Sequence, residues 1–338
     1  MSFRVNMRLP KGTQGKAQTK KRRLLENRIK TNAKGRFKMK NQTIGIEIEL
    51  TGITRETAAK TIASYFGTAA NYIGGGYKAY EIADNGGRIW SIKRDSSIKA
   101  QRLEDGEKWG ADDDYKVEFI SPILTYSDIE TVQELVRAIR KAGGFTNSTC
   151  GMHIHVGASD LTAQAASNLL NAVASKQDLI YKALKVHENR ERYCKKIGER
   201  FLKELNERKP QTLGELASVW YDEPEIRAIQ EHEHYDDSRY CIVNLHALFT
   251  KGTVEFRVFN GTMHAGEVKA AIQFSLALMK QAKSTKKALY RPTETDNPKY
   301  TFRCWLLRLN LNGDEFKTCR HHLLKNLEGN AAWRRTTA

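Results

Sequence analysis

Three short segments place chemically capable side chains two residues apart: IGIEIEL at 44–50, GMHIHVG at 151–157 and VEFRVFNGT at 254–262. In a β-strand, residues i and i+2 face the same way. Glu47 with Glu49, His153 with His155, and Glu255 with Arg257 therefore project as pairs, while Ile46, Ile48, Ile154, Val156, Val254, Phe256 and Val258 fill the other face. Glu118 repeats the pattern singly, alone among apolar residues in YKVEFISPI at 115–123. Carboxylates on strands this apolar need a proton or a cation to offset their burial. A divalent ion serves several at once, and oxygen donors suit Mg2+ or Mn2+, which keep positions open for phosphate oxygens and water. Three pairs on three strands point to one shared polar cavity.

Each motif also has a plainer reading. A Glu-x-Glu pair can be the wet face of a half-exposed strand, and Arg257 can be a structural ion-pair partner of Glu255. His-x-His resembles part of a zinc site, but no third ligand follows at a diagnostic interval. The two imidazoles can equally donate to a phosphoryl group or an acidic substrate. Asp95, Ser96 and Ser97 have the composition of a turn. His232 and His234, in EHEHYDD, read as a solvated loop. The chain has no G-x-x-x-x-G-K-[ST] loop, no G-x-G-x-x-G after a strand and no kinase catalytic loop, so a nucleotide would be held by another architecture.

The elements that must position these residues alternate without repeats. A strand at 43–50 leads to a short helix at 55–65; RIWSIKRDSSI at 88–98 is a strand running into a turn; and 115–123 is a strand stopped by Pro122. A helix over 129–141 is capped by Ser127 and ended by Gly143 and Gly144. A long helical region spans 162–206, and its basic second half reads as surface. RYCIVNLHALF and VEFRVFNG, joined through Gly252, read as a hairpin over 239–260. Helices follow at 266–282, 302–309 and 316–327. The pattern is α+β: an antiparallel, curved sheet with the charged pairs on its inner face and helices on its outer face.

At 338 residues and 40% hydrophobic content the chain can bury a sizeable core. Its net charge of +17 is not evenly spread. Residues 1–40 hold 14 Lys or Arg against the single acid Glu26, so the remainder carries about +4. We read 1–40 as a basic, disordered extension able to meet nucleic acid or acidic surfaces, and 41–338 as one catalytic domain, with its motifs at 43–283 and a helical C-terminal part at 284–330. Five scattered cysteines without a C-x-x-C pair argue against a disulfide framework and for the reducing cytoplasm. Neither a membrane-spanning run nor a signal-type apolar stretch is expected.

The order IGIEIEL, W-x-x-x-x-DSSI, VEFISP, CGMHIHVG, VNL and VEFRVFNGT resembles the amidoligase family of the carboxylate-amine ligase superfamily, whose relatives are glutamine synthetase and glutamate-cysteine ligase. The resemblance spans about residues 43–283. It implies a glutamine-synthetase-like antiparallel sheet curved into an open barrel with helices packed outside. It also implies ATP-dependent amide formation through an acyl phosphate, on amino-acid, peptide or cell-wall-like carboxylates and amines. Glu47, Glu49, Glu118 and Glu255 would hold Mg2+ or Mn2+, with Glu47 also among the catalytic residues. Arg257 would offset charge on the transferred phosphoryl group, and His153 and His155 would contact phosphate or the substrate carboxylate. Asp95 and Ser96 would line the substrate side, and Asn244 would orient the nucleotide or a metal ligand. Two rival readings stay open: a zinc hydrolase using His153 and His155, and a nucleic-acid-binding protein acting through its basic extension.

Overall fold

The computed structural model describes residues 39–221 and 236–332. All but the last two residues of the basic extension, and the His232 and His234 stretch, lie outside the described residues. The strands are β1 (Ile44–Leu50), β2 (Ala70–Gly74), β3 (Ala79–Ala83), β4 (Ile89–Lys93), β5 (Gln101–Glu104), β6 (Glu107–Gly110), β7 (Val117–Ile120), β8 (Gly151–Gly157), β9 (Val243–Asn244) and β10 (Thr253–Asn260). Eight of them form one sheet in the order β2-β3-β4-β7-β1-β8-β10-β9, every neighbouring pair antiparallel. β5 and β6 form a separate hairpin.

β1, first in the chain, lies near the middle of the sheet because alternation gives it one wholly apolar face. Ile44, Ile46, Ile48 and Leu50 are all buried. The layer continues through Trp90, Ile92, Val117, Phe119, Met152, Ile154, Val156, Val254 and Phe256. The Trp90 and Phe119 rings stack at 5.5 Å and 4°, an arrangement that adds to the stabilisation from burial.

The helices are α1 (Arg55–Phe66), α2 (Ile129–Lys141), α3 (Ala163–Ala174), α4 (Gln177–Leu184), α5 (Glu188–Glu191), α6 (Glu199–Arg208), α7 (Leu213–Trp220), α8 (His246–Lys251), α9 (Ala265–Ser284), α10 (Pro298–Arg308) and α11 (Lys317–Leu324). α1 packs on β2, β3 and β4, and α9 on β8, α2, α3 and α11. α9 is apolar or small around most of its circumference, so it is buried between the sheet and its neighbouring helices.

Several expectations change. The helical region at 162–206 is cut into four pieces, with Lys185 at positive φ (49°) closing α4. The 239–260 hairpin is instead the two-residue β9, then α8, then β10. Gly252, at φ 68°, ends α8 rather than turning a hairpin. The cap before α2 comes from Thr125, whose backbone N–H and hydroxyl both meet Asp128, rather than from Ser127. The sheet is open: among the described residues no pairing joins edge strands β2 and β9 into a barrel. None of the described helices is long and apolar enough to cross a membrane.

Candidate active site

Strand register brings the polar pairs together. On β1, Glu47 lies opposite His153 of β8 and Ile120 of β7, and Glu49 lies opposite Glu118. Glu118 faces Lys93 of β4. On the other side, Glu255 of β10 lies opposite both His155 and Asn244. A continuous polar patch thus crosses six strands on the face opposite the apolar layer.

Within that patch His153 Nδ1 is 3.2 Å from Glu47 Oε2 and 3.5 Å from Glu255 Oε1, while His153 Nε2 is 3.9 Å from Glu49 Oε1. Gly151 N donates to Glu49 Oε2 at 2.6 Å. Asn244 Nδ2 donates to Glu255 Oε2 at 2.6 Å, and Arg257 Nη1 donates to Glu255 Oε1. Arg257 Nε donates in turn to Tyr193 O at 3.2 Å. His155 Nδ1 meets Thr253 Oγ1 at 3.1 Å. Its Nε2 is buried 3.3 Å from Glu47 Oε1 without the geometry of a hydrogen bond.

A cavity of about 940 Å3 opens over the patch. Small-molecule sites run to roughly 1,000 Å3, so it is large enough for a nucleotide together with a second substrate. Glu47, Glu49, Glu118, His153 and Arg257 line it, with Asp95 and Ser96 on its wall. Asp95 Oδ1 accepts from Ser97 N and Ser97 Oγ at 2.7 and 2.6 Å, so the expected turn and the cavity wall are the same segment. Glu255 and Asn244 line a smaller cavity of about 70 Å3 that shares Arg257, and His155 is buried among their side chains.

Sequence reading missed the rim of the large cavity: Lys93, Arg94, Arg190, Tyr193, Arg239 and Lys251. Lys93 carried a usable signal, since strand alternation puts it on the polar face. Arg190 carried none, because the short charged α5 resembles an exposed helix, yet Arg190 is 2% exposed. The cavity therefore has an acidic floor and a cationic rim.

The electrostatics divide the carboxylates. Burial pushes Glu118 well above the usual carboxylate range, and repulsion from Glu47, Asp95 and Glu49 adds to it. Burial also raises Glu49. Burial acts upward on Glu47 too, but the hydrogen bond from His153 and the nearby His155 imidazole outweigh it and hold Glu47 well below the range. Arg257, His155 and His153 likewise overcome burial at Glu255 and hold it at about 2. His155 is raised, since Glu255 and Glu47 outweigh its burial.

Glu49 and Glu118 are thus short of compensating positive charge, and His155 presents an unpaired buried nitrogen. The ligand atoms of Glu47, His155 and Glu255 lie within 4.8 Å of one another. This donor set fits a divalent ion. The sign of the pH dependence follows. The folded state retains protons on Glu49 and Glu118 that the unfolded chain releases near 4.5. Their contribution is full below that pH and is lost as pH rises through the raised values. His155 has the same sign above 6.5. Glu47 and Glu255 act oppositely, losing their contribution only on acidification below 4.5. Mg2+ can take the place of the protons, so the gain in Tm on adding Mg2+ is expected to widen from about pH 5 to about pH 8. A gain constant over that window would exclude Mg2+ from these carboxylates.

The fold and site define a class: an α+β protein whose large antiparallel sheet carries a carboxylate-histidine cluster beneath a cationic rim. The family model described as "Putative amidoligase enzyme" matches residues 40–279, from just before β1 into α9. The chain belongs to this amidoligase family, and that membership supports an enzyme of ligase type. No curated protein matches the chain. Among solved structures it is similar to the "Crystal structure of a bifunctional glutathione synthetase from Pasteurella multocida", with 11% identity and a TM-score of 0.45. That similarity covers 88% of this chain and 49% of the other, so the chain spans about half the synthetase's length.

Proposed function

We propose that this protein is an ATP-dependent carboxylate-amine ligase built on a glutamine-synthetase-like sheet. It would join an amino-acid, peptide or cell-wall-like carboxylate to an amine through an acyl phosphate. The observation that carries this reading is the convergence of Glu47, Glu49 and Glu118 on the floor of a cation-rimmed cavity, with Glu255 buried beside them, in a member of the amidoligase family.

Glu47, Glu49, Glu118 and Glu255 would hold Mg2+ or Mn2+. When bound, that ion neutralises charge on the ATP phosphates. Arg257 and the rim cations Lys93 and Lys251 would hold phosphate oxygens. Asn244 fixes the Glu255 carboxylate. His153 and His155 hold Glu47 ionised, and His153, on the cavity lining, would face the transferred group. A substrate carboxylate oxygen takes the γ-phosphoryl group from ATP, releasing ADP. The amine nitrogen then attacks the acyl carbon, phosphate leaves, and Asp95 on the cavity wall accepts the amine proton. Positioning and electrostatics supply most of the acceleration in such transfers.

A non-hydrolysable ATP analogue with Mg2+ is expected to raise the Tm of the wild type, corresponding to about 2.7 kcal/mol at a hundredfold excess over Kd, and to leave Glu47→Gln unshifted. Equal shifts in both proteins, or none in either with candidate acids present, would sink the nucleotide site. The convergence of Glu47, His155 and Glu255 also favours a second reading, a zinc hydrolase. Stoichiometric zinc lost in His155→Gln, without nucleotide binding, would select it.

A further inference from the structure

A second group of donors lies apart from the carboxylate cavity. His264 and Glu267, at the start of α9, and His322 of α11 bring one ligand atom each to within 4.8 Å of one another. His322 Nδ1 is buried, has no hydrogen-bond partner and lies 3.9 Å from Glu267 Oε1. The rings of His264 and His322 are 4.8 Å apart between centroids. Both rings flank the space above Gly266: a Cβ there would lie 2.7 Å from His322 Nε2 and 3.2 Å from His264 Nδ1. His264 Nδ1 accepts from Glu267 N at 3.3 Å, which leaves its Nε2 as the metal donor. Thr262 Oγ1 donates to Glu267 Oε2 at 2.6 Å, fixing the carboxylate, and Lys325 Nζ pairs with its Oε1.

We propose that His264, Glu267 and His322 form a zinc-type divalent transition-metal site that fastens α11 to α9. Two imidazoles and a carboxylate are a donor set zinc prefers, with bonds of about 2.0–2.2 Å. Tetrahedral bonds of that length place ligand atoms about 3.3 Å apart, so the 3.9 Å gap between His322 and Glu267 closes with a small rotation. Lys325 is the counter-ion the metal would displace, and a fourth position would open toward a cavity of about 290 Å3 that Glu267 and His322 help to line. The site has a structural consequence. His264 and Glu267 fall within the family-matched span, whereas His322 lies beyond it, so the metal would clip the C-terminal helices to the family core. None of this depends on the ligase reading.

The test is calorimetric titration of Zn2+ into the full chain carrying Glu255→Gln, which breaks the first converging group. One equivalent is expected to bind. Adding His322→Gln or Gly266→Ala is expected to weaken binding by more than about 100-fold, beyond what loss of a supporting partner does. Gly266→Ala keeps every donor and puts a methyl 2.7 Å from His322 Nε2, at a helical position that alanine favours over glycine; a Tm matching that of the Glu255→Gln parent separates its loss of zinc from unfolding. In the wild type the same two substitutions are expected to remove one equivalent. No zinc taken up by the Glu255→Gln protein, or zinc retained in either added variant, would overturn the proposal.

Discussion

Glu255→Gln is expected to lower the rate of ADP release with carboxylate and amine pools by roughly 10³-fold. The substitution is close to isosteric, so the loss is electrical. Glu255 is buried, accepts from Asn244 and Arg257 and lies within 4.0 Å of both site histidines. Its carboxylate is held at about 2 and is therefore ionised at any working pH. A neutral amide withdraws that charge from the carboxylate-histidine cluster and leaves the Arg257 guanidinium without its counter-ion. Breaking a buried pair is destabilising by about 3–5 kcal/mol, so rates should be read well below the variant's Tm. Turnover within tenfold of wild type in folded protein would remove Glu255 from the catalytic machinery.

The second large effect is on stability. Arg190 Nη1 and Nη2 donate to the carbonyls of Phe259 and Arg257, the latter at 3.0 Å. These carbonyls flank the irregularity between Phe256 and Phe259, where β10 leaves register with β8. Arg190 thus does there what a neighbouring strand does elsewhere. Its guanidinium fills the space over Gly151, where a Cβ would come within 2.4 Å of Nη2. Arg190→Met keeps most of the volume and leaves two carbonyls unpaired. At about 1–3 kcal/mol for each unsatisfied group, urea unfolding should show a loss of about 4 kcal/mol. A loss under about 1 kcal/mol would mean that water satisfies both carbonyls.

The contrast between these residues shows what the sequence made legible. Glu47, Glu49, His153, His155 and Glu255 stood out because a strand's period of two sorts side chains by face, and a carboxylate between isoleucines is conspicuous on that period. Their convergence followed from antiparallel pairing of the same strands. Asn244 and Glu255 were expected on the two arms of one hairpin; they pair directly, although α8 intervenes. VNLHALF is rich in apolar and aromatic residues, and a two-residue strand followed by one and a half helical turns leaves no periodicity long enough to detect. Arg190 is the opposite case. ENRE in α5 has the local composition of a solvated helix, and Arg190 is buried by long-range contacts with β8 and with β10, the latter some 67 residues away. Long-range packing of that kind leaves no local pattern. The break of 162–206 at Lys185 is similar, since a lysine at positive φ carries no glycine to mark it.

The placement of β1 at the heart of the sheet sets an order of events during synthesis. Its partners β7 and β8 emerge about 70 and 105 residues later, and Glu255 follows Glu47 by 208 residues. At roughly 5–20 residues per second, Glu47 leaves the ribosome some 10–40 s before the strand that completes its surroundings. Until β7 and β8 follow, the IGIEIEL segment is an unpaired apolar strand, and its two glutamates are placed to act as gatekeepers against premature association. The same carboxylates that gather charge in the finished cavity would keep the nascent chain apart from its neighbours until β7 and β8 arrive.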